Sequence, residues 1–157
     1  MNLENGKFEN MPHKFEIGVK AVIRNAEKNK ILFLTSRDNH NEEILTFPGG
    51  RMEEGETMLD TLKRELMEEL SYNGEVNIKR LLSANPRKFN LENGCGLMLI
   101  TILVDLNIDV VNIEKEHMRY FWLGMENLEG EVPIYIEGAK LDNVEYLEAA
   151  RLALEIE

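Results

Sequence analysis

The sequence FPGG at positions 47–50 is the feature that most constrains the fold of this chain. Proline fixes φ, and the two following glycines permit positive φ and a close approach of neighbouring backbone. A short apolar run precedes these residues, and a long segment without Gly or Pro begins a few residues later, at Met58. The pattern predicts a tight turn and a loop that lead from a strand into a helix.

The segment 58–70 predicts one amphipathic helix. Thr57 is a favourable N-cap, and Asp60 three residues later completes a capping box. Leucines recur at three- and four-residue steps, which places them on one buried stripe. These leucines are Leu59, Leu62, Leu66 and Leu70.

Three glutamates of the same helix share a different face. Glu65, Glu68 and Glu69 stand at i, i+3 and i+4, where side chains of a helix are neighbours. Like charges at this spacing destabilise a helix by a few tenths of a kcal/mol per pair, about 0.2–0.5. Hard oxygen ligands in a cluster are what Mg²⁺ or Mn²⁺ requires. For the helix alone, a solvated acidic face is an equally good interpretation.

The spacing around these glutamates resembles the Nudix box. Five residues separate Gly50 from Glu56, and seven more precede Arg64-Glu65-Leu66, which is followed by Met67 and Glu68-Glu69. The final Gly of the box is Ser71 here, and the apolar position after it is Tyr72. The difference between Ser71 and the usual Gly falls at the end of the helix, where Gly serves as a C-cap, and it leaves the carboxylates unchanged.

The resemblance implies an α+β fold, an α/β/α sandwich with a mixed β-sheet and the catalytic loop and helix at 48–70. It implies metal-dependent cleavage of a pyrophosphate bond in a nucleoside diphosphate linked to another group, with Mg²⁺ as cofactor and Mn²⁺ as an alternative. By the same resemblance, Glu65, Glu68, Glu69 and the Gly50 carbonyl hold the metal. Arg64 is expected to pair with Glu56 and to orient the loop against the helix.

The general base is open among Glu68, Glu69 and Glu116. Many Nudix proteins carry a Glu six residues before a Trp, and Glu116 and Trp122 have that spacing. A surface glutamate at a loop edge is the competing interpretation of Glu116.

Three arginines are candidate contacts for the substrate. Arg37 lies in a charged loop at 36–43, Arg51 follows the two glycines, and Arg87 lies in a predicted loop at 85–94. For Arg37, an exposed residue that aids solubility is the competing interpretation.

The substrate class is not encoded in a motif. Nucleoside triphosphates and dinucleoside polyphosphates form one class, and nucleotide sugars and ADP-ribose form another. The Glu116-His117 pair before Trp122 favours the first class, by family analogy. Two non-catalytic alternatives are a nucleotide-sensing module and a metal-free scaffold with a solvated acidic helix.

The composition of the chain limits the classes of molecule that it is expected to bind. The 157 residues carry a formal net charge of −11, which argues against a nucleic-acid polymer and requires metal ions for an anionic substrate. The single Cys95 permits no intramolecular disulfide, and the longest apolar run, 97–104, is too short to span a bilayer. We expect a cytoplasmic protein that binds a small nucleotide and no membrane, with a homodimer possible by family analogy.

The chain is expected to form an N-terminal extension at 1–13 and a single domain at 14–157. Alternating apolar residues predict strands at 15–24 and 30–35 that pair as a hairpin. Further strands are predicted at 75–84, 95–106 and 116–123, a short helix at 125–128 and a loop at 129–140. Asp142 or Asn143 is expected to cap a final helix that buries Val144, Leu147 and Leu154.

Overall fold

The computed structural model describes residues 14–88, 91–108, 111–113 and 118–157. The predicted N-terminal extension and Glu116 therefore lie outside the described residues. In chain order the elements are β1 (Phe15–Ile23), β2 (Ile31–Arg37), β3 (Glu43–Thr46), β4 (Gly49–Arg51), α1 (Met58–Leu70), β5 (Val76–Lys88), β6 (Gly96–Leu106), β7 (Tyr120–Leu123), a 3₁₀-helix (Met125–Asn127), β8 (Ile134–Ile136), β9 (Ala139–Leu141) and α2 (Val144–Glu155).

These strands form two mixed sheets. The four-stranded sheet has the order β4-β1-β6-β5, and the five-stranded sheet has the order β7-β2-β3-β9-β8. In the first sheet β1 is parallel to β6 and antiparallel to β4. In the second, β3 and β9 form the parallel pair. Parallel strand pairs usually occur in sheets whose two faces are both covered, and here the helices α1 and α2 cover the two faces of β1.

Alternate side chains of β1 enter two different cores. Val19, Ala21 and Ile23 belong to a buried cluster that contains the α1 leucines at 62, 66 and 70. Val22 belongs to a second cluster that includes the α2 alanines at 149, 150 and 153. The strand thus has one helix on each side, which confirms the predicted α+β sandwich.

Helix α1 has the predicted bounds and capping box. The Thr57 hydroxyl accepts a hydrogen bond from the Asp60 N–H at 3.1 Å, and the Asp60 carboxylate accepts one from the Thr57 N–H at 3.0 Å. The helix ends at Ser71, whose φ of 52° is left-handed. A non-glycine residue in this conformation costs roughly 1 kcal/mol, which is the reason that Gly is common at this position.

The predicted hairpin between the first two strands is wrong. β1 and β2 follow each other in the chain but lie in different sheets, joined by an isolated bridge between Arg24 and Ile31. Both edges of β1 are already occupied, by β4 and β6. A strand has only two edges for backbone hydrogen bonding, so β2 pairs with β3 and β7 instead.

Two segments predicted as loops contain strands. β5 continues through Pro86 to Lys88, which an edge strand tolerates because its outer N–H groups need no partner. The segment 129–140 contains β8 and the start of β9.

Helix α2 begins at the predicted cap, but its buried face differs. The Asn143 side chain accepts the N–H groups of Glu145 and Tyr146, while Val144, predicted to be buried, is 52% exposed. Leu147 is buried as predicted, and Tyr146 is buried in place of Val144. Neither α1 nor α2, the helices of the described ranges, is long and apolar enough to cross a membrane.

Candidate catalytic and metal-binding site

Gly49 and Gly50, predicted to form a turn and called the two-glycine turn below, begin strand β4 and lie between β1 and α1. Gly49 has a φ of 141°, and a Cβ atom there would lie 2.1 Å from the Val19 carbonyl oxygen. Only glycine permits this approach, because any other side chain would collide with backbone. The Gly49 N–H donates to Glu69 Oε1 at 2.7 Å, so one of the predicted metal ligands is bonded directly to the turn.

Gly50 is glycine for a different reason. A Cβ atom there would lie 2.2 Å from Glu65 Oε1. The Glu65 carboxylate therefore occupies the space that a side chain at Gly50 would take. Through these two contacts the turn brings together two carboxylates of α1, Glu65 and Glu69.

Arg64 connects the loop to the helix. Its Nε and Nη2 donate to the two oxygens of Glu56 at 2.8 and 2.9 Å, which is a bidentate pair. Nη1 donates to Glu65 Oε1 at 2.8 Å, and Nη2 also donates to the Arg51 carbonyl at 2.9 Å. This geometry matches the expected pairing of Glu56 with Arg64, and it joins the loop to the Glu65 carboxylate of the helix.

The pairing keeps both partners charged. The Arg64 guanidinium, and next the Glu53 N–H, lower the pKa of Glu56 from 4.5 to about 2. The hydrogen bond to Glu56 is also the main cause that raises the pKa of Arg64. Glu56 is therefore an anion at neutral pH and remains paired with Arg64.

The donor chemistry of the site fits a hard divalent cation. Arg64 Nη1 lies 2.8 Å from Glu65 Oε1 and 3.6 Å from Glu68 Oε2, so these two carboxylates already face one cationic group. Glu68 is 56% exposed, and Glu69 borders the same turn through Gly49. In the conformation described, no three His, Cys, Asp or Glu side chains among the described residues converge as a metal-holding group. Glu65 and Glu69 are bonded to Arg64 and to Gly49 instead.

A cleft of about 450 Å³ opens on the other side of the four-stranded sheet from α1. Its volume is in the range of small-molecule sites. Lys20, Arg37 and Arg87 supply cationic side chains to its walls, and Leu97 and Leu99 supply apolar ones. The remaining lining residues are Asp38, Asn39, His40, Ile44, Leu45, Thr46, Asp142, Asn143 and Tyr146.

The three predicted substrate arginines do not share one location. Arg37 and Arg87 line the cleft, and Arg37 Nη1 donates to the Asn41 carbonyl at 3.2 Å. Arg51 is not among the cleft residues. Its Nη1 lies 3.0 Å from Glu16 Oε2 in an ion pair. The other Glu16 oxygen accepts from the Asn93 amide at 2.8 Å. Glu116, the candidate base outside the box, lies outside the described residues.

Sequence reasoning missed Lys20 and Tyr146 as cleft residues. Lys20 is a polar position of an alternating strand, and Tyr146 is an apolar position of an amphipathic helix, so neither has a local signal. Burial raises the pKa of the Tyr146 phenol, and a hydrogen bond with Thr46 lowers it by less. The phenol is therefore neutral and can act as a hydrogen-bond donor to a bound molecule.

Comparison with known proteins identifies the family of the chain. The family model described as the NUDIX domain matches residues 14–152. A curated mouse protein, "Nucleoside diphosphate-linked moiety X motif 6", is 27% identical over 118 residues, which are 72% of this chain. The match spans 36% of the length of that relative.

Solved structures show the same fold. The MutT protein from Methanosarcina mazei Go1 is 18% identical, with a TM-score of 0.64 over 89% of this chain and 93% of that one. An ADP-ribose pyrophosphatase from Streptococcus suis is 20% identical, with a TM-score of 0.58 over 89% of this chain and 90% of that one. At these identities the likeness concerns the fold alone.

Proposed function

The chain belongs to the NUDIX family, and from this premise we propose that it is a metal-dependent hydrolase that cleaves a pyrophosphate bond. The substrate is a nucleoside diphosphate linked to another moiety, and a nucleoside triphosphate or a dinucleoside polyphosphate is the form we favour. Nudix hydrolases generally use divalent metal ions.

One observation carries the proposal. The carboxylates of Glu65 and Glu69 are held against the two-glycine turn, and the strand that pairs with this turn, β1, also supplies Lys20 to a cleft of about 450 Å³. A group that hydrolyses a phosphate ester or anhydride must stand beside a site large enough for the rest of the substrate. Here the two features share one strand pair.

We assign Glu65, Glu68, Glu69 and the Gly50 carbonyl as the groups that hold the metal, with Mg²⁺ the preferred ion. When bound, such an ion supplies charge neutralisation at the phosphates and a lowered pKa for a coordinated water. Arg64 and Glu56 act behind these ligands: they hold the Glu65 carboxylate in position through the hydrogen bonds described above. Arg64 does not contact the substrate in this assignment.

A carboxylate must accept the proton of the attacking water, and Glu68, Glu69 and Glu116 are the candidates. Glu68 is the more exposed of the first two, and Glu69 already accepts a hydrogen bond from Gly49. A carboxylate within hydrogen-bond reach of a water can act as general base. Separate Gln variants of the three glutamates, compared by pH–rate profile, distinguish them.

The charge of the cleft favours a substrate with several phosphates. Lys20, Arg37 and Arg87 line it in a chain whose net charge is −11. The two acidic side chains of the cleft already have partners: Asp38 accepts the His40 and Glu42 N–H groups at 2.9 Å, and Asp142 lies 3.7 Å from Lys140. A polyphosphate chain has more charge for these cations than a nucleotide sugar or ADP-ribose.

The experiment is a hydrolysis screen of nucleoside triphosphates, dinucleoside polyphosphates, nucleotide sugars and ADP-ribose, each with and without Mg²⁺. Turnover of a phosphate-rich group that requires Mg²⁺ supports the proposal. Turnover of nucleotide sugars or ADP-ribose alone supports the proposal of a hydrolase but overturns the proposed substrate class. No turnover, in a protein whose melting temperature rises with nucleotide and metal, overturns the hydrolase in favour of a sensing module.

Glu69→Gln is the variant that accompanies the screen. We expect it to lose most of the activity, about 100-fold or more, because an anionic oxygen ligand is replaced by a neutral amide, while the fold is retained. Glu148→Gln, the same change on an exposed residue of α2, is the matched control and should keep wild-type turnover. Wild-type-like rates in Glu69→Gln would remove the assigned role of Glu69.

A further inference from the structure

Lys20 stands at an inward position of β1. Side chains alternate along a strand, so Lys20 shares a face with Gly18 and Val22, both buried, whereas Val19 and Ala21 face α1. Lysine is seldom placed on the inner face of a strand between two buried residues. Its side chain is half-buried there and lines the cleft together with Leu97 and Leu99.

The register of the sheet sets Lys20 beside the two-glycine turn. Lys20 is the antiparallel partner of Gly49, and its Nζ lies 3.5 Å from the Gly49 carbonyl oxygen. The N–H of the same glycine donates to Glu69 at 2.7 Å. One residue of the turn is therefore contacted by the Lys20 ammonium through its carbonyl and by a metal-holding carboxylate through its N–H.

The cleft and the carboxylate site meet at Lys20. Its side chain lines the cleft, and its Nζ lies against the carbonyl of the glycine whose N–H binds Glu69. A phosphate chain that extends from the cleft toward the carboxylates would pass this ammonium, and a charge-assisted hydrogen bond to a phosphate oxygen is roughly twice as strong as a neutral one.

We propose that Lys20 binds a non-bridging oxygen of the substrate phosphate chain at the junction of the cleft and the carboxylate site. The ammonium has three donors on a flexible stem, so it can donate to a phosphate oxygen in addition to its contacts within the protein. This inference rests on the proposed function and names a further substrate-contacting residue for it.

The test compares Lys20→Met, Lys20→Arg and a matched control, Lys79→Met. Lys79 lies on β5, is 53% exposed and pairs with Asp105, so its loss changes the net charge equally without touching the site. We expect Lys20→Met to lower kcat/KM by about 10- to 100-fold, as for the loss of one charge-assisted hydrogen bond. Lys20→Arg should recover most of that loss, and Lys79→Met should equal the wild type.

A binding measurement separates this inference from the hydrolase proposal. Methylenediphosphonate has the charge of a pyrophosphate but no base and no cleavable P–O–P bond. In calorimetry with Mg²⁺, Lys20→Met should bind it about 10-fold more weakly than the wild type, at an unchanged melting temperature. If Lys20→Met does not fold, Lys20→Gln takes its place with the same expectations.

Each outcome of the binding measurement either supports or overturns the assignment of Lys20. Equal binding of methylenediphosphonate by the wild type and Lys20→Met overturns the assignment of Lys20, even if the protein hydrolyses its substrate normally. No binding by the wild type overturns it as well. Weaker binding by Lys20→Met supports it, even if the hydrolysis screen finds no turnover and the hydrolase proposal fails.

Discussion

Two arginine–carboxylate clusters in the described part of the molecule use the same chemistry in different surroundings. In the first, Arg64 binds both oxygens of Glu56, eight residues away in the chain. In the second, Arg119 binds both oxygens of Glu43, 76 residues away. Each arginine also donates to one backbone carbonyl at 2.9 Å, that of Arg51 or that of Glu137.

The clusters differ in their third partner. Arg64 also holds the Glu65 carboxylate, which lies against Gly50 in the candidate site. The Arg119 guanidinium instead lies over the Phe121 ring, 5.1 Å from the ring centroid. The backbone N–H of Arg119 donates to the Thr35 hydroxyl. The comparison teaches that a bidentate pair is not itself a mark of function. The group to which it is connected decides whether it positions chemistry or joins strands.

Among the changes that test this comparison, removing Arg64 should have the largest effect. Arg64→Ala leaves Glu56 without its main partner and releases Glu65, so we expect turnover to fall by about 10- to 100-fold, the usual cost of losing a group that orients metal ligands. Melting temperature should fall as well. Steady-state kinetics with a Mg²⁺ titration measures the first effect, and an unchanged rate would show that the Glu56–Arg64 pair has no part in the site.

Gly50→Ala tests the same side of the comparison without removing a charge. The added Cβ would displace the Glu65 carboxylate, so we expect weaker metal binding and turnover lower by about 10-fold. The melting temperature should change little, because the displaced atoms are the end of a side chain.

The control is Gly49→Ala. Its Cβ atom would collide with backbone, so this change should destabilise the fold. Calorimetric Mn²⁺ titration and thermal unfolding measure the two effects, and equal melting losses would contradict this distinction.

Arg119→Ala tests the other cluster. It disconnects the Glu43 carboxylate and the Glu137 carbonyl, so we expect a lower melting temperature with kcat and KM within about twofold of the wild type. Thermal unfolding and steady-state kinetics, run beside Arg64→Ala, measure the contrast. A loss of turnover as large as that of Arg64→Ala would mean that the two clusters do not differ in function.

The smallest expected effect is on acid stability. The folded pKa of Glu56 is about 2, below its ordinary 4.5, so its contribution to stability is complete above about pH 4.5 and disappears as the pH falls toward 2. The Arg119 guanidinium lowers the pKa of Glu43 in the same direction. Denaturant unfolding of Glu56→Gln between pH 5 and 2 should therefore show a shallower loss of stability than the wild type. Parallel curves would contradict the low pKa.

The sequence by itself determined the loop and helix that carry the candidate site. The helix at 58–70, the capping box of Thr57 and Asp60, and the Glu56–Arg64 pair all appear as expected. Contacts within one helix and its preceding loop depend on helical periodicity and side-chain reach, which can be read directly from spacing. The resemblance to the family extended this local knowledge to the sandwich fold.

The tertiary structure alone decided which distant residues meet. The separation of β1 and β2 into different sheets, the parallel pairing of β1 with β6, and the contact of Lys20 with Gly49 have no local signal. Neither does the contact of Arg51 with Glu16. Backbone hydrogen bonds are the same for every strand, so an alternating pattern predicts a strand but not its neighbours. Those neighbours are selected by the burial of both sheet faces at once, a property of the whole chain.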